Sequence, residues 1–92
     1  MSDTNRGYGA TTNQMMNAPL NSVFVWPVFS TLGYARDLAW FLGRQDLEVI
    51  ALPNIGTLKG TKKPIIWDHA CGEHMKSHQR DDAYILGYKP EL

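Results

Sequence analysis

Three short apolar runs, rich in β-branched and aromatic residues, constrain the fold of this chain more than any other feature. They lie at residues 22–26, 47–52 and 64–69. Runs of this length and composition are typical of β-strands. Pro27 closes the first run and Pro53 stops the second, because proline has no N–H to donate to a strand ladder. The sequence therefore predicts three strands in the middle of the chain.

An amphipathic helix is predicted between the first two strands. Its apolar residues follow the i, i+3, i+4, i+7 spacing of a stripe that faces the core. Ser30 or Thr31 can cap the start of this helix, and Gly43 lies where a left-handed residue is expected to end it. The apolar stripe consists of Ala35, Leu38, Ala39 and Leu42.

The C-terminal third of the chain completes the predicted fold. Residues 72–80 are polar and predict a short helix, with Glu73 favourably placed in its first turn. We interpret residues 83–88 as a fourth strand; the alternative is the end of a longer helix capped by Gly87. The resulting order, β-α-β-β-α-β, is the split unit of ferredoxin-like domains. It predicts an α+β fold with an antiparallel sheet, both helices on one face, and residues 56–63 as an exposed tip between strands two and three.

The N-terminal segment differs from the rest of the chain in composition. Residues 1–20 are rich in small polar residues and show no sustained apolar period. We therefore predict a flexible arm over residues 1–20, or an arm that becomes ordered on a partner, and a single α+β domain over residues 21–92. A chain of 92 residues has room for one such domain.

Composition narrows the class of protein. The formal net charge is zero, which argues against a protein whose whole surface binds nucleic acid and leaves only local attraction. Cys71 is the only cysteine, so no intramolecular disulfide can form, and a reducing cytoplasmic compartment is favoured. No apolar run approaches the ~20 residues that cross a bilayer, so no membrane association is expected.

Positive charge is concentrated between the second and third predicted strands. From residue 49 to residue 67 the chain carries three lysines and no acidic residue. We predict that Lys59, Lys62 and Lys63 approach the phosphates of a nucleic acid without reading its sequence. In one alternative, the protein is a general binder of single-stranded nucleic acid. In another, the lysines belong to a solvated tip whose charge protects the sheet from aggregation.

A tryptophan between two arginines is the second candidate binding feature. Arg36 and Arg44 lie four residues on either side of Trp40, outside the apolar stripe, and therefore share its helix face. Trp and Arg are enriched among the residues that dominate binding energy at protein interfaces. We predict that Arg36, Trp40 and Arg44 bind a partner. In the alternative, Trp40 folds back along the arginine stems or lies under the N-terminal arm.

A cluster of potential metal ligands offers a competing interpretation. Cys71, His74 and His78 have spacings that could supply part of a tetrahedral zinc site in a small zinc-supported binding protein. The usual second cysteine pair and the His-Glu-x-x-His arrangement are both missing. Nothing supplies the oxyanion hole and orienting group that a catalytic Cys71 would need. We therefore predict a protein that is not an enzyme and needs no cofactor.

About half of the chain carries a resemblance to known proteins, namely residues 21–26, 32–44 and 46–69. In these segments, and in size, neutral charge and layout, the chain resembles the small anti-CRISPR proteins of phages, in particular those directed at the type I-F surveillance complex. It implies an inhibitor, which we expect to be monomeric when free and to act in the cytoplasm of the host cell. Its partner would be the guide RNA and protein subunits of a CRISPR-Cas complex, and inhibition would come from blocking target DNA.

Overall fold

The computed structural model describes the fold of residues 2–88 and the side chains of residues 10–88. Within that range the elements, in chain order, are α1 (Ser2–Asn17), β1 (Val23–Trp26), α2 (Leu32–Phe41), β2 (Glu48–Ala51), β3 (Ile65–Trp67), α3 (Cys71–His74) and α4 (Ser77–Ile85). Two 3₁₀ segments, Phe29–Thr31 and Leu52–Leu58, precede α2 and follow β2. No helix in residues 2–88 is long and apolar enough to span a bilayer.

The three strands form one parallel sheet in the order β2-β1-β3. β1 lies in the centre, with Phe24 opposite Val49 on one side and Ile66 on the other. Parallel neighbours need crossover connections of a dozen or more residues, and α2 and the segment 52–64 serve as these connections. The predicted antiparallel, ferredoxin-like sheet is therefore wrong. The lysines belong to a crossover connection and not to the tip of a hairpin.

Helices cover both faces of the sheet, whereas the sequence predicts helices on one face only. Phe24 of β1 packs in a buried cluster with residues of α1 and α2. Val23 and Val25 face the opposite way, toward the Leu52–Leu58 segment, α3 and α4. Right-handed crossovers that run in opposite directions across a sheet lie on opposite faces. The chain runs from the central strand β1 to β2, and then crosses back past β1 to β3. Its two connections therefore lie on different faces of the sheet.

The C-terminal segment forms a helix end, so the predicted fourth strand over residues 83–88 is wrong. Gly87 has a positive φ of 99° and ends α4. Its N–H donates to the carbonyl of Tyr84 at 3.1 Å, and the N–H of Tyr88 donates to the carbonyl of Ala83 at 2.8 Å. This pair of bonds is a Schellman motif, which satisfies the last carbonyls of a helix. The alternative interpretation, a helix capped by Gly87, describes this segment correctly.

The predicted central helix is confirmed. α2 covers Leu32–Phe41, and Gly43 follows it with a φ of 78°. The N–H groups of Gly43 and Arg44 donate to the carbonyls of Trp40 and Ala39 at 3.0 and 2.8 Å. The same Schellman geometry therefore ends both α2 and α4, because glycine adopts the left-handed conformation without steric cost.

Residues 2–17 form α1, in a segment where the sequence predicts a flexible arm. Thr11, Gln14, Met15 and Ala18 follow helical spacing; Gln14 is half-buried and the other three are buried. Met15 is fully buried and belongs to the same cluster as Phe24. Two of these four residues are polar, so hydrophobic periodicity does not reveal the stripe.

Candidate functional site

The outward side of α2 carries large aromatic side chains in contact with solvent. Trp40 is 67% exposed and Phe41 is 84% exposed. Tyr34 lies seven residues before Phe41, on the same side of the helix, and its ring centroid lies 5.8 Å from that of Trp26. We call Tyr34, Trp40 and Phe41 the α2 aromatic face. Exposed aromatic groups that lie next to one another are typical of protein interaction sites.

A shallow groove of about 350 Å³ separates α2 from β2, and all three residues predicted to bind a partner line it. Arg36 Nε donates to the carbonyl oxygen of Val49 at 3.2 Å. This contact covers one acceptor on the outer edge of β2, away from β1. Trp40 lies at the rim of the groove and adds its ring to the α2 aromatic face. The structure thus brings Arg36, Trp40 and Arg44 together as their spacing predicts.

Arg44, however, uses its guanidinium inside the protein. Its Nε and Nη2 each lie 3.0 Å from a carboxylate oxygen of Asp46, and Nη2 also donates to the carbonyl of Pro19 at 3.2 Å. Nη1 donates to the carbonyl of Met15. The group that the sequence predicts to contact a partner therefore fastens the end of α1 to the turn after α2. Arg36 and Trp40 are better placed to contact a partner.

We call the contacts of Arg44 with Asp46 and with the carbonyls of Met15 and Pro19 the clamp. Asp46 is its acidic member. Hydrogen bonds from the Arg44 side chain, and then from the backbone N–H of Asn21, hold the pKa of the Asp46 carboxyl well below its usual range. The Asn21 N–H lies 2.8 Å from Oδ2. Hydrogen bonds to the charged form of a carboxylate favour that form and depress the pKa. The clamp is thus complete only when Asp46 is ionised.

The three lysines of the crossover lie at the surface. Lys59 Nζ is 3.2 Å from a carboxylate oxygen of Asp82, and Lys63 Nζ is 3.2 Å from one of Glu48. Both pairs are exposed, and exposed ion pairs contribute only about 0–1 kcal/mol. No ion pair joins Lys62 to another residue of the described chain. An anionic ligand can therefore compete for all three ammonium groups.

Two adjoining hollows of about 470 and 750 Å³ lie along β3 and share Ile65 and Trp67. We call them together the β3 groove. Its polar end is lined by Lys59 and Lys63. Its other end is aromatic. There the ring centroids of Trp67 and Tyr88 are 5.2 Å apart, and those of Tyr84 and Tyr88 are 6.2 Å apart.

Sequence reasoning missed the residues that fasten α1 to β3. Thr11 Oγ1 donates to the buried carboxylate of Asp68 at 2.9 Å. Gln14 Nε2 donates to the carbonyl of Trp67 at 2.8 Å, and its Oε1 accepts from the N–H of His69 at 2.9 Å. These partners are more than fifty residues apart in sequence, so no local pattern identifies them. The i, i+3 spacing of Thr11 and Gln14 is the one signal present.

The proposed zinc ligands do not come together. Cys71 is fully buried, and its Sγ donates to the carbonyl of Val25 at 3.3 Å. Burial, and to a smaller extent the charge of Asp68, raises the pKa of the Cys71 thiol to about 12. His74 and His78 are exposed. Among the described residues, no three His, Cys, Asp or Glu side chains are grouped so that they could hold a metal ion.

The raised pKa also bears on nucleophilic chemistry at Cys71. The thiolate is the reactive form of cysteine, and a thiol that is buried among apolar groups is inert. Cys71 therefore has a structural role in the cluster between the sheet and α4.

Comparisons with protein-family models, with curated proteins and with solved structures find no significant match to this chain. Function is therefore inferred from the surfaces described above.

Proposed function

We propose that this protein is a non-catalytic binding protein that docks on a partner protein through the α2 aromatic face. One observation carries the proposal: the adjacent side chains Trp40 and Phe41 are 67% and 84% exposed. Leaving such large apolar groups in water costs about 25 cal/mol per Å² of area that a contact would bury. A protein partner removes that cost, and aromatic side chains are the usual anchors of such contacts.

The partner class comes from the resemblance to anti-CRISPR proteins. We propose a type I-F surveillance complex in the host cytoplasm as the partner, with target DNA excluded by occlusion. Arg36 lies in the groove beside Trp40, where it extends the docking surface. Lys59, Lys62 and Lys63 lie elsewhere on the molecule and provide salt-sensitive attraction to RNA or DNA. Arg44 supports the docking surface from within.

The test is direct binding of the purified chain to a purified type I-F surveillance complex. We expect the double variant Trp40→Ala/Phe41→Ala to bind at least about tenfold more weakly than the original chain. Both side chains are exposed, so the fold should be retained, which circular dichroism checks. The matched control is Leu20→Ala, which removes another exposed apolar side chain, from the turn between α1 and β1. It should bind with unchanged affinity.

A gel-shift assay with target DNA provides a second readout. The original chain should prevent the complex from binding its DNA target, and the Trp40→Ala/Phe41→Ala variant should do so only at higher concentration. If the original chain fails to bind the complex, the proposed partner is wrong. If the double variant binds as well as the original chain, the docking surface lies elsewhere.

A further inference from the structure

β3 is an outer strand, and its backbone groups alternate between the sheet and the groove. The N–H of Val23 donates to the carbonyl of Pro64 at 2.8 Å, and the N–H of Asp68 donates to the carbonyl of Val25 at 3.0 Å. Because backbone direction alternates along a strand, the N–H and C=O groups of Ile65 and Trp67 point away from β1. Both residues line the β3 groove.

Gln14 already occupies part of this edge in the way that a strand would. In a parallel ladder, one residue of the neighbouring strand donates to the carbonyl of residue i and accepts from the N–H of residue i+2. The side-chain amide of Gln14 makes these two bonds, to the carbonyl of Trp67 and the N–H of His69. A side-chain amide and a peptide group offer the same donor and acceptor. The edge of β3 therefore has the geometry to receive an amide.

Residues 10–88 provide no such cover at the preceding position on the same edge. It consists of the carbonyl of Ile65 and the N–H of Trp67, one step along the ladder from the pair that Gln14 bonds. No side chain among residues 10–88 hydrogen-bonds to either group. The two residues that carry these groups line the β3 groove. An uncovered strand edge is the usual site at which a further strand pairs.

We propose that the β3 groove binds an extended peptide segment of a partner protein as a fourth strand of the sheet. Gln14 of α1 and Tyr84 of α4 stand on either side of this edge and line the larger hollow. α1 and α4 pack on opposite faces of the sheet. The slot between the two layers therefore continues the plane of the sheet. Main-chain bonds to Ile65 and Trp67 would supply affinity, and the groove walls would select side chains.

Charge indicates the chemistry of the peptide. Lys62 and Lys63 lie three and two residues before β3, and Lys59 lines the same end of the groove. A peptide with acidic residues at that end would replace the weak exposed ion pairs of Lys59 and Lys63. Its next residues would lie over the apolar side chains of Ile65 and Trp67. The predicted ligand is therefore an extended segment with an acidic end and β-branched residues after it.

The inference does not rest on the proposed function, because it concerns a surface separate from the α2 aromatic face. A single-stranded nucleic acid is the competing occupant of a groove with lysines and aromatic rings. The peptide is favoured because nucleic acid offers no amide ladder to the backbone edge, whereas the Gln14 contacts already match one.

The probe is a short synthetic peptide of about eight residues, capped at both ends, with two aspartates followed by alternating valine and threonine. Binding to the full chain is measured by isothermal titration. Amide hydrogen exchange is followed by NMR in the same samples. We expect saturable binding, with exchange at the Trp67 N–H slowed by about tenfold or more. A control peptide with prolines in place of its central residues should not bind, because proline cannot pair along the ladder.

Charge reversal tests the end of the groove. Lys62→Glu should weaken peptide binding by roughly fivefold, while Lys76→Glu, the same change at the start of α4, should leave it unaltered. Trp40→Ala should also leave peptide binding unaltered, which separates this site from the proposed docking surface.

Three results would overturn the proposal. One is the absence of peptide binding, or binding that leaves exchange at Trp67 unchanged. Another is protection of the Trp67 N–H that grows with protein concentration in the absence of peptide, since the occupant would then be a second copy of the chain. The third is lysine-dependent binding of a single-stranded deoxythymidine oligonucleotide that displaces the peptide and does not slow Trp67 exchange.

Discussion

α1 and α2 pack on the same face of the sheet, but they are attached to it in different ways. α2 buries an apolar stripe, and its Arg36 side chain bonds to the outer edge of β2. Residues 10–18, at the end of α1, bury Met15 and Ala18 and add several polar contacts: Thr11 to Asp68, Gln14 to the backbone of β3, and the carbonyl of Met15 to Arg44. Apolar contact tolerates small shifts, whereas hydrogen bonds require particular partners. The attachment of α1 should therefore respond sharply to single substitutions and, to a smaller extent, to pH.

The same difference distinguishes the outer edges of the two flanking strands. A guanidinium can only donate, so Arg36 covers a carbonyl of β2 and places a charge where another strand would have to lie. The Gln14 amide both donates and accepts, so it continues the ladder of β3 without introducing charge. The β2 side is thus suited to contact through side chains, and the β3 side to contact through the backbone.

The largest expected effect comes from Arg44→Ala. The substitution removes the bonds to Asp46 and to the carbonyls at the end of α1, and should lower the free energy of unfolding by about 2–3 kcal/mol. Urea denaturation measures this loss. Hydrogen exchange should quicken in α1 more than in α2. Arg36→Ala is the matched control, and it should cost less than about 1 kcal/mol. An equal increase of hydrogen exchange in α1 and α2 would contradict the proposed difference between the attachments of the two helices.

Gln14 offers a smaller and more specific test. Gln14→Leu leaves the carbonyl of Trp67 and the N–H of His69 without their partner, at an expected cost of about 1–2 kcal/mol. Exchange at the His69 N–H should quicken. Gln14→Glu keeps the acceptor for His69 but loses the donor to Trp67, so it should preserve protection at His69. If Gln14→Leu leaves exchange at His69 unchanged, the amide does not cover this edge in solution.

The smallest effect is the pH dependence of the clamp. Because the folded protein holds the pKa of Asp46 below its value of about 4 in the unfolded chain, its contribution to stability is present above that value. The contribution declines as the pH falls toward the folded pKa. The urea midpoint of the original chain should therefore fall between about pH 6 and pH 3, and less steeply for Asp46→Asn. Parallel pH profiles for the two proteins would show that Asp46 is not stabilised by Arg44.

Local patterns in the sequence predict the three strands and α2, but they miss α1 and give a fourth strand in place of the end of α4. The three strands and α2 lie where β-branched runs and the stripe from Ala35 to Leu42 place them, and Gly43 ends α2 as expected. These features depend on neighbouring residues only. Strand direction depends on the connections instead. Leu52, Ile55 and Leu58 recur at every third residue, the period of the 3₁₀ segment that they form, and all three are buried. Recognising that period would have favoured a crossover and a parallel sheet.

The candidate binding residues also divide into those that local spacing predicts and those that depend on distant parts of the chain. Arg36 and Trp40 share a helix face by spacing alone, and the structure places both at one groove. The internal role of Arg44 could not be predicted, because the carbonyls that it bonds lie on α1 and after it, twenty-five or more residues away. Gln14 was missed for the same reason. Its partners on β3 become neighbours only once the sheet has formed.

Cys71 gives the protein a built-in reporter of its own opening. The thiol is enclosed between the sheet and α4, and its pKa of about 12 leaves almost no thiolate in the native state near neutral pH. A thiol reagent can then label the chain only during excursions that separate α4 from the sheet. With reclosing faster than labelling, the modification rate reports the free energy of those excursions. Labelling of this one native cysteine can thus follow the opening of α4 without the introduction of another residue.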